Sequence, residues 1–230
     1  MTKVALVTAA SKGIGAAIAR ELRHRGYELA VLARGDDVHA IAAELDGLAH
    51  QGDVTDEAAL RALVDQALDR WGRLDAVIAN TGHPPKGNLL ELADAHWQAG
   101  YELILGSAIR LARVTSPILV KQGSGAYVAV SSYAAVRPDH QRPTSSVFRA
   151  GLSAWIQLLA EELAPYGVRA NAVLPGFIDS QPVHSLTVAT IPMGRPGRVG
   201  ELAQTVAYLA SDEASFVTGQ SLLVDGGMVR

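Results

Sequence analysis

Ser11, Lys12, Gly13 and Gly15 are the first residues of this chain whose types and spacing suit chemistry. They belong to the run Thr8-Ala9-Ala10-Ser11-Lys12-Gly13-Ile14-Gly15. Glycines let backbone N–H groups approach a phosphate closely, and a helix beginning there turns its positive end toward the anion. Lys12 adds a side-chain cation to the same turn. Two glycines one residue apart also make an ordinary tight turn, so the run by itself leaves a phosphate cradle and a plain turn evenly matched. Arg34 follows a second apolar run, at the place where a dinucleotide fold meets the adenosine ribose. A carboxylate there would bond a 2′-hydroxyl, whereas a cation would pair with a 2′-phosphate. Lys12 and Arg34 together favour NADP(H) over NAD, with Asp36 and Asp37 offsetting part of that charge. Asp53-Val54 and Asn80-Thr81-Gly82 end two further apolar runs, where ligands gather, although Asp and Asn also cap helices and close turns. Cysteine is absent, which excludes disulfides, thiol catalysis and a thiolate-held metal, and the seven histidines show no metal-ligand spacing.

The elements that must position these residues follow from periodicity. Val4 to Val7 is a short apolar run, after which Ile14, Ala17, Ile18 and Leu22 recur at helical spacing and Gly26 is placed to end the helix. Leu29 to Ala33 is continuously apolar, as a parallel strand covered on both faces would be. Further strands are expected over 48–54, 74–79, 126–130, 169–174 and 221–224, with helices over about 56–71, 93–119 and 200–211. Another helix carries Leu152, Trp155, Ile156, Leu159, Ala160 and Leu163 on a packing face. Trp97, Tyr101, Leu105, Ala108 and Ala112 share one face of the long helix, suited to a core or a subunit interface. Alternating strands and helices joined by right-handed crossovers predict a doubly wound parallel α/β sheet with its ligands beyond the carboxyl ends of the strands.

A length of 230 residues and 49% hydrophobic composition suit one domain spanning 1–230, with no linker, charge run or repeat to divide it. The net charge of −3 and pI near 6.1 point to a small-molecule substrate rather than nucleic acid. The first strand begins directly after Met1-Thr2-Lys3, and no apolar run approaches membrane-spanning length; a soluble, cytoplasmic protein without membrane contact is expected.

Taken together, these residues resemble the short-chain dehydrogenase/reductase family over essentially the whole chain. The family's T-G-x-x-x-G-x-G turn appears as Thr8 to Gly15, with Ala9 replacing one glycine. Its adenine-contacting Asp looks like Asp53, and its N-N-A-G segment looks like Ala79-Asn80-Thr81-Gly82. Its P-G segment with a following hydroxyl residue matches Pro175-Gly176 and Ser180, and its terminal D-G-G matches Asp225-Gly226-Gly227. The resemblance implies a Rossmann-type sheet of seven strands. It further implies that NADP(H) is held by Thr8, Ser11, Lys12, Gly13, Ile14, Gly15, Arg34, Asp53, Val54, Asn80, Gly82, Arg149, Pro175, Gly176, Ile178 and Ser180. A short substrate lid around 181–192 and a homo-oligomer, tetramer or dimer, built through the two long helices and the last strand, complete the expectation.

The catalytic positions depart from the family pattern of Ser, Tyr, Lys and Asn. Ser132 matches the Ser, but Ser145 stands at the Tyr position, Arg149 at the Lys position and Ile104 at the Asn position. A serine hydroxyl is shorter and far less acidic than a phenol, and arginine does not titrate as a relay lysine does. One reading is an NADP-dependent oxidoreductase with a relocated acid, for which Tyr133, His140 and His83 are candidates. A second is a non-redox enzyme whose Ser132 and Arg149 resemble part of the halohydrin dehalogenase arrangement; the absent Tyr and the retained Lys12, Gly13, Gly15 and Arg34 disfavour it. A third is a non-catalytic NADP-binding sensor or scaffold. Arg137, Arg142 and Arg149 would suit an anionic ligand, although ordinary surface charge is the better account of the first two.

Overall fold

The strand β1 (Val4–Thr8) is buried along its whole length because its side chains alternate between two apolar layers. Val4 and Leu6 enter one core, Ala5 and Val7 the other. The computed structural model describes residues 2–229. After β1 come α1 (Gly13–His24), β2 (Glu28–Ala33), α2 (Asp37–Glu44), β3 (Leu48–Gln51), α3 (Glu57–Trp71) and β4 (Ala76–Ala79). The chain continues through α4 (Asp94–Tyr101), a π-helical turn (Glu102–Gly106), α5 (Ser107–Gln122), β5 (Gly125–Val130), α6 (Pro143–Leu163) and β6 (Val168–Pro175). It ends with α7 (Ser185–Val188), α8 (Val199–Ala210) and β7 (Ser221–Val224).

These strands form a seven-stranded parallel sheet in the order β3-β2-β1-β4-β5-β6-β7. The winding direction reverses between β1 and β4, which opens a crevice beyond their carboxyl ends. Leu60 and Leu63 of α3, Leu111 of α5 and Ile156 of α6 cover one face; Ile18 of α1, Ile41 of α2 and Leu202 of α8 cover the other. The architecture is the doubly wound α/β sheet that the apolar runs predict.

Boundaries differ where side chains intercept backbone bonds. The third strand stops at Gln51 rather than 54, because Asp53 Oδ1 accepts from both the N–H and the hydroxyl of Thr55 at 2.9 Å. Asp56 Oδ1 then caps α3 by accepting from Ala58 N at 2.9 Å. The fourth strand begins at Ala76 rather than 74, since the Gln122 amide takes the Leu74 N–H and carbonyl at 3.0 and 2.6 Å. The long helix expected over 93–119 is interrupted by the π-helical turn, which puts Ile104 into the core at 1% exposure. Trp97 and Tyr101 pack edge-on against Phe148 of α6, with centroids 6.0 and 6.1 Å apart.

By length and composition alone, the 29-residue stretch Asp94–Gln122 would suffice to cross a membrane, a test that the buried core helix of a globular domain also passes. Half of its most apolar window is buried in the fold, where α5 lies against α3 and β5.

Candidate functional site

The carboxyl ends of the strands surround a cleft of about 710 Å³. One wall is the turn after β1. Ala9 adopts left-handed backbone geometry, φ 48°, and its carbonyl accepts from Asn80 Nδ2 at 3.2 Å. Gly15 packs so closely on this turn that a Cβ would lie 2.2 Å from the Ala9 oxygen, so glycine is required there. Helix α1 begins at this wall with no side-chain cap and no acidic residue in its first turn. Its first N–H groups and positive end are thus available to an anion. Across the cleft, a Cβ on Gly13 would sit 3.5 Å from the Ser180 Cβ, so residues far apart in sequence meet over the turn.

Of the candidate residues, Ser11, Lys12, Gly13, Ile14, Gly15, Arg34, Val54, Asn80, Gly82, Ser132, Tyr133, Ser145, Arg149, Pro175, Gly176, Ile178 and Ser180 line this cleft. Thr8 and Asp53 do not. The Thr8 hydroxyl donates to the Asn80 carbonyl at 2.7 Å and accepts from Asn80 N at 2.9 Å, pinning β1 to the end of β4. Asp53 is spent on Thr55 and approaches Arg34 Nη1 at 3.9 Å. Ser131, Lys86, Leu103 and Phe177 also line the cleft, although sequence reasoning did not single them out. Ser131 had one available signal, its place beside Ser132 at the end of β5. Leu103 had none, because the π-helical turn sets its direction.

The cleft is lined by five basic residues, Lys12, Arg34, Lys86, Arg142 and Arg149, against one acidic residue, Asp37. A chain with net charge −3 therefore concentrates positive charge where its turn can receive an anion. Among the described residues no group of three or more His, Asp or Glu side chains is arranged to hold a metal ion.

At the inner end, Ser145 and Arg149 lie one turn apart on α6. Arg149 Nη1 donates to the Val130 carbonyl at 2.8 Å, while its Nε has no hydrogen-bond partner. Burial pushes its pKa down to about 10. The buried Ser131 hydroxyl is also unpartnered, and Ser132 Oγ accepts from Ala134 N at 3.2 Å.

The candidate acids fare differently. The Tyr133 hydroxyl donates to Asp139 Oδ2 at 2.9 Å, and its ring packs on Phe177 at 5.5 Å. Burial, then the bond to Asp139, push its pKa up to about 12, which makes it a weaker proton donor than a free phenol. His140 does not line the cleft. His83 does, with its Nε2 3.1 Å from Gln181 Nε2. Burial, reinforced by Lys86, Arg149 and Arg142, lowers its pKa below the ordinary value of 6.5. Arg142 is held 3.6 Å from Asp139 and over the Phe177 ring, and Arg137 donates to the Met228 carbonyl at 2.9 Å.

A family model described as enoyl-(acyl carrier protein) reductase matches residues 8–229. The chain is 33% identical over 242 residues to the 3-oxoacyl-(acyl-carrier-protein) reductase FabG of Staphylococcus aureus, covering 99% of this chain and 98% of the relative. It is 32% identical over 236 residues to FabG of Escherichia coli K12, covering 98% and 97%. Among solved structures, L-sorbose reductase from Gluconobacter frateurii, complexed with NADPH and L-sorbose, superposes with a TM-score of 0.94 at 29% identity, over 100% of this chain and 97% of that one. YwfH, an NADPH-dependent reductase involved in bacilysin biosynthesis, shares the fold with a TM-score of 0.94 at 24% identity, over 100% and 99%. With its sheet order, its turn after β1 and these relatives in agreement, the chain belongs to the short-chain dehydrogenase/reductase family.

Proposed function

We propose that this protein binds NADP(H) and acts as an oxidoreductase on a small carbonyl or alcohol compound, with an altered proton-transfer apparatus. The observation that carries this reading is the uncapped, acid-free start of α1 in a cleft lined by five basic residues and one acidic residue. Ser11, Lys12 and the N–H groups of Gly13, Ile14 and Gly15 would hold the pyrophosphate, and Arg34 the 2′-phosphate in place of its contact with Asp53. Asn80, Gly82, Pro175, Gly176, Ile178 and Ser180 would flank the nicotinamide half, with Arg149 near its ribose. The nicotinamide, when bound, supplies or accepts a hydride. The sorbose reductase, whose structure is complexed with NADPH, supports this choice of cofactor.

The proton is the weak point of the apparatus. Ser145, Arg149 and Ile104 stand where the family pattern has Tyr, Lys and Asn, and Ile104 is sealed in the core. Loss of general acid–base help lowers rates by about 10²–10⁴, so ordinary ketone reduction is expected to be slow. His83 is the titratable group best placed to serve instead, since Tyr133 is committed to Asp139. In this reading the whole chain works as one nucleotide-binding domain, residues 181–192 with α7 form a short lid, and the molecule assembles as a homo-oligomer.

Calorimetric titration with NADPH, NADP, NADH and NAD tests the assignment. NADPH should bind at least about tenfold more tightly than NADH, roughly 1.4 kcal/mol. Arg34→Gln should remove most of that preference, and Lys12→Gln should weaken NADPH and NADH alike. Failure of every form to bind, or equal binding of NADPH and NADH, would overturn the reading.

A further inference from the structure

The inner end of the cleft holds a buried cation without a counter-ion. Arg149 is 7% exposed, its Nη1 is used by the Val130 carbonyl, and its Nε is unpartnered. None of the ion pairs among the described residues involves it. Ser131, also buried, brings a second unpartnered polar atom to the same cleft. Buried charges and hydroxyls are ordinarily compensated by partners, and here the protein supplies one carbonyl.

The phosphates of a dinucleotide do not fill this need. Arg149 is bonded to the end of β5, and the phosphate-receiving turn follows β1, two strands away in the order β1-β4-β5. With neighbouring strands about 4.8 Å apart, the two places are separated by roughly 10 Å. Ribose hydroxyls beside Arg149 would offer it hydrogen bonds but no charge, which leaves the guanidinium open to a second anion.

We propose that Arg149, with the hydroxyls of Ser131 and Ser145, forms an anion subsite that holds the carboxylate of a small carboxylate-bearing substrate. A carboxylate suits the donors present. With Nη1 occupied, the Nε edge of the guanidinium remains for a planar, singly charged group; the unpartnered Ser131 hydroxyl can donate to its oxygens, and Ser145 brings a second hydroxyl to the same cleft. Serine at position 145 also leaves room one helical turn from Arg149 that a larger side chain would fill. Lys86 on the cleft wall adds a positive field that attracts an anion, whereas Arg142 is paired with Asp139. The proposal deepens the oxidoreductase reading by naming its substrate class, and it rests on that reading only for the statement that the anion lies beside a bound nucleotide.

Arginine Nε–H resonances of the full-length protein, followed by proton–nitrogen NMR, test the subsite with acetate as the probe and neutral acetamide as its isostere. The Arg149 signal, assigned by its disappearance in Arg149→Lys or, should that variant not fold, in Arg149→Met, should shift saturably with acetate. Acetamide should bind at least about tenfold more weakly, and Ser131→Ala should weaken acetate by about fivefold. Acetate binding should persist with NADP present. Absence of a saturable shift, equal binding of acetamide, or displacement of acetate by NADP would each overturn the proposal. Calorimetry with NADPH on the same samples separates the two readings, because a protein that binds acetate but no nucleotide refutes the cofactor and leaves the subsite standing.

Discussion

Burial without a carboxylate holds the Arg149 guanidinium at a pKa of about 10, well below the ordinary arginine range, which corresponds to about 3 kcal/mol against the charged form in the folded state. The unfolded chain keeps that proton more tightly, so the penalty is in force below pH 10 and is relieved only as pH rises from about 10 toward the ordinary arginine range. Arg149→Met should therefore stabilise the ligand-free protein by about 1–3 kcal/mol. Thermal denaturation would register this as a rise of roughly 2–4 °C per kcal/mol, while acetate binding is lost. A fall in Tm instead would mean that the Val130 carbonyl already compensates the charge. His83 titrates in a more accessible range. Burial and the nearby Lys86, Arg149 and Arg142 keep its folded pKa below 6.5, so the neutral ring is favoured at pH 7. Stability linked to that neutral ring is present above pH 6.5 and lost as pH falls through the folded value. Carbonyl reduction that draws its proton from His83 should instead rise as the pH falls below 6.5, and His83→Gln should flatten the profile; an unchanged profile in the variant excludes His83 as the donor.

Two elements are coupled through Thr144, which is wholly buried and donates to the Pro85 carbonyl at 2.5 Å. The bond ties the first turn of α6, where Ser145 lies one turn before Arg149, to the segment after β4 that carries Gly82 and His83. Thr144→Val keeps the shape and leaves that carbonyl unsatisfied. It should destabilise the fold by about 1–2 kcal/mol in urea denaturation and weaken NADPH binding in calorimetry, and unchanged affinity would show that the segment is held by other contacts. The helices vary in how openly their ends are written. The ends of α3 were legible at 56 and 71 because Asp56 caps one end and Gly72, φ 70°, terminates the other, both through local chemistry. The π-helical turn was not legible, since residues 94–122 carry a continuous helical pattern. Contacts with α6 accompany the extra residue: a Cβ on Gly100 would lie 3.0 Å from Thr144 and 3.1 Å from Phe148. That close approach belongs to the pair of helices, not to either sequence segment.

Across the whole molecule, the net charge of −3 conceals a cleft with a five-to-one excess of basic residues. Charge held at a partly exposed cleft is screened by salt. NADPH binding measured by calorimetry should weaken by about tenfold between roughly 0.05 and 1 M salt, and NADH binding by less because it lacks the 2′-phosphate. A salt-independent affinity would contradict charge as the holding force.

The same contrast marks what the amino-acid sequence determined by itself. The strand and helix alternation, the turn from Thr8 to Gly15 and the doubly wound sheet were readable, because periodicity and backbone permissiveness act between residues close along the chain. Gathering Lys12, Arg34, Asn80, Ser132, Ser145, Arg149 and Ser180 around one cleft also followed, since each lies near the carboxyl end of a strand or on the helix that covers it. Only the tertiary structure decided which of the candidates have atoms to spare. Thr8 is consumed by Asn80, Asp53 by Thr55 and Tyr133 by Asp139, whereas Arg149 meets the carbonyl of Val130 and no carboxylate. The physical reason is that desolvation and partnership are set by atoms that packing brings alongside, and a residue's type and spacing do not reveal what it will be buried against.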